Sequence, residues 1–217
     1  MPNSEYIIHG TTDENLIKIL KVGYIDNNPS KKDLLMLKEW GVKTKQIFTQ
    51  LIYKDIPNEK NQKPHWFSSV IVLDKKILKD YPFYATHIGG FKDKFENGKD
   101  NENTIVYGEG NLSRMPNLAK LKTAISKRLT NFKSFGSINF IHSHEILFNQ
   151  KIPLDTYCKC IVIMGTYLKP KEKQKLVEQI EKINTFHIPI KFYTTDRESM
   201  KGLGINNFID KIEKNIK

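Results

Sequence analysis

The strongest constraint on this chain is that short, β-rich apolar runs and helix-period segments are mixed along it without strict alternation. Residues 157–164 form the most hydrophobic run, and 66–73 and 46–53 are rich in β-branched and aromatic residues. Their length and content predict strands. Further strands are predicted at 5–9, 104–107, 138–141, 145–148 and 188–193. After the first strand, Thr11-x-x-Glu14 has the form of a capping box. Leu16, Ile17, Ile19 and Leu20 follow at helical spacing, and Gly23 stands where a left-handed cap residue closes a helix. The opening therefore predicts strand, turn and helix, with His9 at the turn. An apolar stripe of Leu118, Leu121, Ile125 and Leu129 predicts a helix over 117–131. Others are predicted over 31–40, over 170–183 with Pro170 in the first turn, and over 208–216. Polar loops are expected at 58–64 and 91–103. Strict β-α alternation would imply a parallel α/β sheet, so the mixed order predicts an α+β fold. A length of 217 residues fits one domain, expected to span 1–217.

Composition narrows the class. Thirty-five basic residues against 24 acidic ones give a net charge of +11, an excess that favours contact with polyanions. The basic residues are almost all lysines, and only Arg114, Arg128 and Arg197 offer the planar fork that grips phosphate or guanine with two bonds. No run approaches the roughly 20 apolar residues that a membrane span needs, and no basic segment followed by an apolar one opens the chain. A cytoplasmic or nuclear location and no membrane partner are expected. The two cysteines, Cys158 and Cys160, share one face of a predicted strand, too close for a usual disulfide and too few for zinc. They read as thiols of a protein from a reducing compartment. His142 and His144 flank Ser143 beside Glu145, but further ligands at metal-site spacing are lacking, so no metal is expected. His65, His87 and His187 read as structural, Asp155 and Asp196 as caps, and the lysines of 169–175 as a solvated helix face.

Three patches carry the chemistry. The first holds Tyr6-Ile7-Ile8-His9-Gly10-Thr11, then Asn15, Ile19-Leu20 and Gly23. The second is Gln46-Ile47-Phe48, and the third is Ser143-His144-Glu145-Ile146-Leu147-Phe148, followed by the apolar 157–164 run. In order and spacing they resemble the catalytic domain of the poly(ADP-ribose) polymerases, within the ADP-ribosyltransferase superfamily. That family has an apolar strand ending in His-Gly-Ser/Thr, an aromatic residue on a middle strand, and a glutamate opening a later strand. Its His-Tyr-Glu set becomes His9-Phe48-Glu145 here, with the tyrosine hydroxyl missing. The matching patches lie within 6–164, leaving 165–217 as a C-terminal α/β extension without an assigned role.

The resemblance implies split β-sheets with flanking helices around an NAD cleft, and NAD as co-substrate. His9 would hydrogen-bond a ribose hydroxyl, and Gly10, lacking a side chain, would let backbone approach the nicotinamide amide. Thr11 belongs to the same cofactor-binding set. Phe48 would stack on the nicotinamide ring, and Tyr53 is the stand-in for the family's second stacking tyrosine. Glu145 and His9 would be the catalytic residues, with the Glu145 carboxylate stabilising the positive charge that develops as the glycosidic bond breaks. The expected activity is transfer of a single ADP-ribose from NAD to a protein or nucleic-acid acceptor, because too little chain precedes Tyr6 for the family's helical regulatory domain. Ser143 and His144 stand where arginine-directed toxins have Glu-x-Glu and another toxin group has Gln-x-Glu, so arginine is not the expected acceptor. The competing readings are a catalytically weak module that binds NAD or ADP-ribose and an NAD glycohydrolase. An RNA 2′-phosphotransferase would need arginines near its histidine, and none stands near His9.

Overall fold

A computed structural model of the chain describes residues 5–26, 47–55, 68–86, 145–164, 168–192 and 205–216. The predicted elements at 31–40, 104–107, 117–131 and 138–141 and the loops at 58–64 and 91–103 lie outside them. So do Arg114, Arg128, Arg197, Asp196, His65, His87, His142 and His144. The chain clusters into two compact units, one of Met1–Ile25, Ile52–Lys75 and Ile152–Lys217, the other of Asp26–Leu51 and Lys76–Lys151.

The first unit is built on a sheet in the order β1 (Glu5–Thr11), β4 (Ser69–Leu73), β8 (Cys158–Ile163), β9 (Ile190–Phe192). β1 and β8 both run antiparallel to β4, and β9 runs parallel to β8. All five residues of β4 are buried. A run without polar alternation is what a strand covered on both faces requires, and each large side chain buried there contributes about 1.5–3 kcal/mol. Between Val72 and Leu73 the pairing with β8 shifts, so that Cys158 to Cys160 span two residues of β4. This bulge turns Lys159 outward, where its ammonium meets Asp74 at 2.8 Å.

Helix α1 (Asp13–Val22) buries Leu16 and Leu20. Its N-cap is Thr12, whose hydroxyl accepts from the Asn15 backbone N–H at 3.2 Å. The cap thus falls one residue later than the predicted box at Thr11, because Thr11 is drawn into the ladder opposite Ser69. Gly23 closes α1 at φ 80°, with its N–H on the Ile19 carbonyl. The ring of Phe186 lies so close that a Cβ at Gly23 would sit 2.5 Å from it. Only glycine satisfies both the left-handed φ and that contact. A two-stranded ribbon of β2 (Tyr24–Ile25) and β7 (Ile152–Pro153) follows, unforeseen in the sequence, since two-residue strands have no periodicity of their own.

The C-terminal segment completes this unit. α4 (Pro170–Ile183) buries Leu176 and Ile180 and packs with α1. Its start is held by Pro170 and by the Glu172 carboxylate, which accepts from the Lys169 N–H at 2.8 Å. α5 (Ile205–Ile216) starts earlier than predicted and buries Phe208, Ile209 and Ile212. It is tied to the turn after β3 (Ile47–Tyr53) by Lys54, 2.7 Å from Asp210 and 3.4 Å from Glu213, and by the Asn206 amide oxygen on the Asp55 N–H. Those carboxylates, Asp210 first, raise the Lys54 pKa. Among the described residues no helix is long and apolar enough to cross a membrane.

The second unit holds the strand order β5 (Tyr84–Thr86), β6 (Glu145–Phe148), β3, all antiparallel, with the short helix α2 (Ile77–Asp80) preceding β5. Phe148 is fully buried, and its ring centroid lies 6.2 Å from that of Phe83 in a tilted pair.

Candidate active site

His9, Gly10 and Thr11 stand together at the end of β1, paired with Ile71, Val70 and Ser69 of β4. His9 does not sit at the turn, as the sequence predicts. The strand runs two residues further, because pairing with β4 outweighs the turn tendency of Gly10. His9 and Gly10 are half-buried and Thr11 is buried. The turn into α1 is fixed from a distance. The Ser69 hydroxyl donates to Asp13 Oδ1 at 2.6 Å, and the Asp13 N–H donates to Ser68 Oγ at 3.0 Å. Ser68 Oγ in turn reaches the Thr11 carbonyl at 3.5 Å. Sequence reasoning missed Asp13, Ser68 and Ser69, and local signals do not reveal them, since the serines lie more than 50 residues downstream.

Phe48 and Glu145 belong to the other unit, where they share one ladder. Phe48 pairs with Leu147, and Gln50 pairs with Glu145. On the far side of β6, Leu147 faces Tyr84 and Glu145 faces Thr86. Two rows result, Phe48–Leu147–Tyr84 and Gln50–Glu145–Thr86, one two-residue step apart and therefore of the same parity. Diagonal positions of this kind are about 7–8 Å apart. Along β3, Ile47 and Thr49 are buried while Phe48 and Gln50 are half-buried, so those two lie on the more open face of this strand. The opposite face is pinned by the Thr49 hydroxyl, which donates to the Ile146 carbonyl at 2.6 Å. Gln50 was not singled out in the sequence. Its only signal there is even spacing from Phe48, which gains meaning once β6 is known to be the neighbour.

The remaining candidates separate. Tyr53, at the end of β3, is 4% exposed and falls in the first unit. Asp155 is not a cap, for Pro153 holds the cap position of α3 (Leu154–Tyr157), and Asp155 inside the first turn accepts from the Thr156 hydroxyl. His187 is exposed at φ 53°, in a turn closed by the Asn184 amide on both the N–H and the carbonyl of Ile188. Cys158 and Cys160 are free thiols. Burial pushes both up, Cys160 to about 12 with Lys191 opposing, so neither is nucleophilic near neutral pH. Among the described residues no group of three or more His, Cys, Asp or Glu side chains could hold a metal ion.

No protein-family model and no curated protein matches the sequence. Solved structures do match the fold. DarT from Thermus sp. 2.9 in complex with ADP-ribosylated ssDNA aligns with a TM-score of 0.52 at 8% identity, over 88% of this chain and 94% of that one. The same protein in complex with NAD+ aligns with a TM-score of 0.50 at 7% identity, over 92% and 98%. The chain therefore has the mixed α and β fold of DarT, with sheets and flanking helices, over nearly its whole length.

Proposed function

We propose that this protein is an NAD-dependent ADP-ribosyltransferase that transfers a single ADP-ribose to a nucleic-acid acceptor, with single-stranded DNA the first candidate. The observation that carries the reading is the ladder of the second unit. Phe48 and Glu145 were selected by separate motifs, and they stand on diagonal positions of one sheet face in a chain with the DarT fold. The two DarT complexes hold what donor and product of such a transfer would be, NAD+ and ADP-ribosylated ssDNA.

In this reading the His9 imidazole and the Gly10 backbone, with Thr11 beside them, bind the nicotinamide ribose and amide. Phe48 stacks on the nicotinamide ring. The Glu145 carboxylate stabilises the positive charge that develops on the ribose as the bond to nicotinamide breaks. One such electrostatic partner contributes on the order of 3–4 kcal/mol. The charge pattern supports a polyanionic acceptor. From Gly110 to His144 the chain has Arg114, Lys120, Lys122, Lys127, Arg128 and Lys133 but no acidic residue, and Glu145 follows directly. Lysine and arginine against phosphate supply most of the affinity for nucleic acid.

The test incubates purified protein with labelled NAD+ alone and with single-stranded DNA, RNA or protein, beside Glu145→Ala. Label on DNA that disappears with Glu145→Ala is the expected result. Label on protein alone would move the acceptor class. Nicotinamide release without transfer would make the protein a glycohydrolase. NAD+ binding without release would make it a binding module.

A further inference from the structure

Two serines, Ser68 just before β4 and Ser69 at its start, stand ahead of four apolar residues, Val70 to Leu73. Ser69 is completely buried. A buried hydroxyl costs free energy unless it is hydrogen-bonded, and this one spends its proton on Asp13 Oδ1 at 2.6 Å. The helix does not need that bond to start, because Thr12 already caps it through Asn15. Ser68 adds two more ties. Its hydroxyl takes the Asp13 N–H, one of the free donors of the first helical turn. Its carbonyl takes the N–H of Met164 from the end of β8 at 2.8 Å. The turn after His9-Gly10-Thr11 is thus fastened to two neighbouring strands by groups beyond those a strand-to-helix turn requires.

We infer that Ser69 and Asp13 are positioning residues for the nicotinamide end of NAD+. They hold the backbone of Gly10 to Asp13 at the place the ligand reads, and touch no reacting atom themselves. This rests on the function proposed above, in which that backbone and His9 bind the ribose and amide. The chemistry is an acceptor oxygen fixed by a buried hydroxyl, so it needs an oxygen at Asp13 Oδ1 and not a negative charge. Asparagine at the position keeps the acceptor, whereas alanine removes it.

The experiment compares the wild-type chain with Ser69→Ala, Asp13→Ala and Asp13→Asn. NAD+ affinity is measured by calorimetry well below each protein's melting temperature, and amide hydrogen exchange is followed over residues 10–15. Ser69→Ala and Asp13→Ala should weaken NAD+ about tenfold, as expected when a binding group is displaced by a fraction of an ångström, and should speed exchange in that segment. Asp13→Asn should stay within about twofold of wild type, since the hydrogen bond survives. Lower melting temperatures with unchanged NAD+ affinity would overturn the inference and leave a purely structural bond. Equal weakening by Asp13→Asn and Asp13→Ala would overturn it too, by showing that charge is what matters. Wild-type protein that fails to bind NAD+ would overturn the proposed function and this inference together, whereas wild-type binding with unaltered variants sinks the inference alone.

Discussion

β1, which carries His9, pairs over five residues with β4, whose five residues are all buried, and the turn that follows is fastened by Ser68, Ser69 and Thr12. β6, which carries Glu145, has four residues and begins at that glutamate. Among the described residues its neighbours include the Phe83–Phe148 pair, the Thr49 hydroxyl bond and the paired residues of β3 and β5. In the first region, strand pairing and side-chain hydrogen bonds converge on the turn after His9. In the second, Phe48 and Gln50 lie on the more open face of β3, beside the strand that carries Glu145. A binding position tolerates, and gains from, rigid support beneath it.

That contrast predicts where substitutions should cost stability and where they should cost activity. The largest stability effect is expected in the first region. Ile71 is fully buried between its partners His9 and Ile161, and Ile71→Ala should cost about 2–5 kcal/mol in urea unfolding, with NAD+ binding lost as His9 loses its support. A cost under about 1 kcal/mol would mean that Ile71 is not held in a close-packed core. Glu145→Gln should do the reverse and reduce nicotinamide release roughly 100- to 1,000-fold with an unchanged melting temperature. A comparable drop in stability would erase the distinction between the two regions.

Phe48→Ala should weaken NAD+ binding by about 0.5–1.5 kcal/mol, the usual worth of an aromatic stacking contact, and Phe48→Tyr should restore it. A separate, pH-dependent effect concerns the two thiols of the first unit. Burial holds Cys160 protonated up to about 12, against 9.0 for an ordinary thiol, and raises Cys158 also. The unfolded thiols ionise near 9, so this stabilising contribution is complete below pH 9 and fades as the pH rises toward 12. Chain carrying Cys158→Ala and Cys160→Ala should lose less stability over that window than wild type. An identical slope in both would show that the thiols are not shielded by the core.

Much of the first region was legible beforehand, and less of the second. Gly23 and Pro170 mark helix ends through their own backbone restrictions, and the apolar stretches 70–73 and 160–164 are buried as their composition leads one to expect. β5, β2 and β7 were not foreseen, because strands of two or three residues exist only through their partners. The α1 cap moved by one residue for the same reason, as Thr11 gains more from pairing with Ser69 than from capping. The candidate residues were recognised by motif, but their company was not. Gln50, Tyr84 and Thr86 stand beside Phe48 or Glu145 through antiparallel register, and Asp13 is held by a serine 56 residues away.

By itself, then, the amino-acid sequence determined which segments are helix and which are strand where the signal is carried within one turn or one pleat. It also named His9, Phe48 and Glu145. Tertiary structure alone decided that β9 lies parallel to β8 and that the last helix completes the first unit. It also decided that Phe48 and Glu145 share a sheet face, and that a buried hydroxyl anchors the turn after His9. The physical reason is range. Backbone preference and periodicity act over three or four neighbours, while register and buried hydrogen bonds depend on which distant segments share a core.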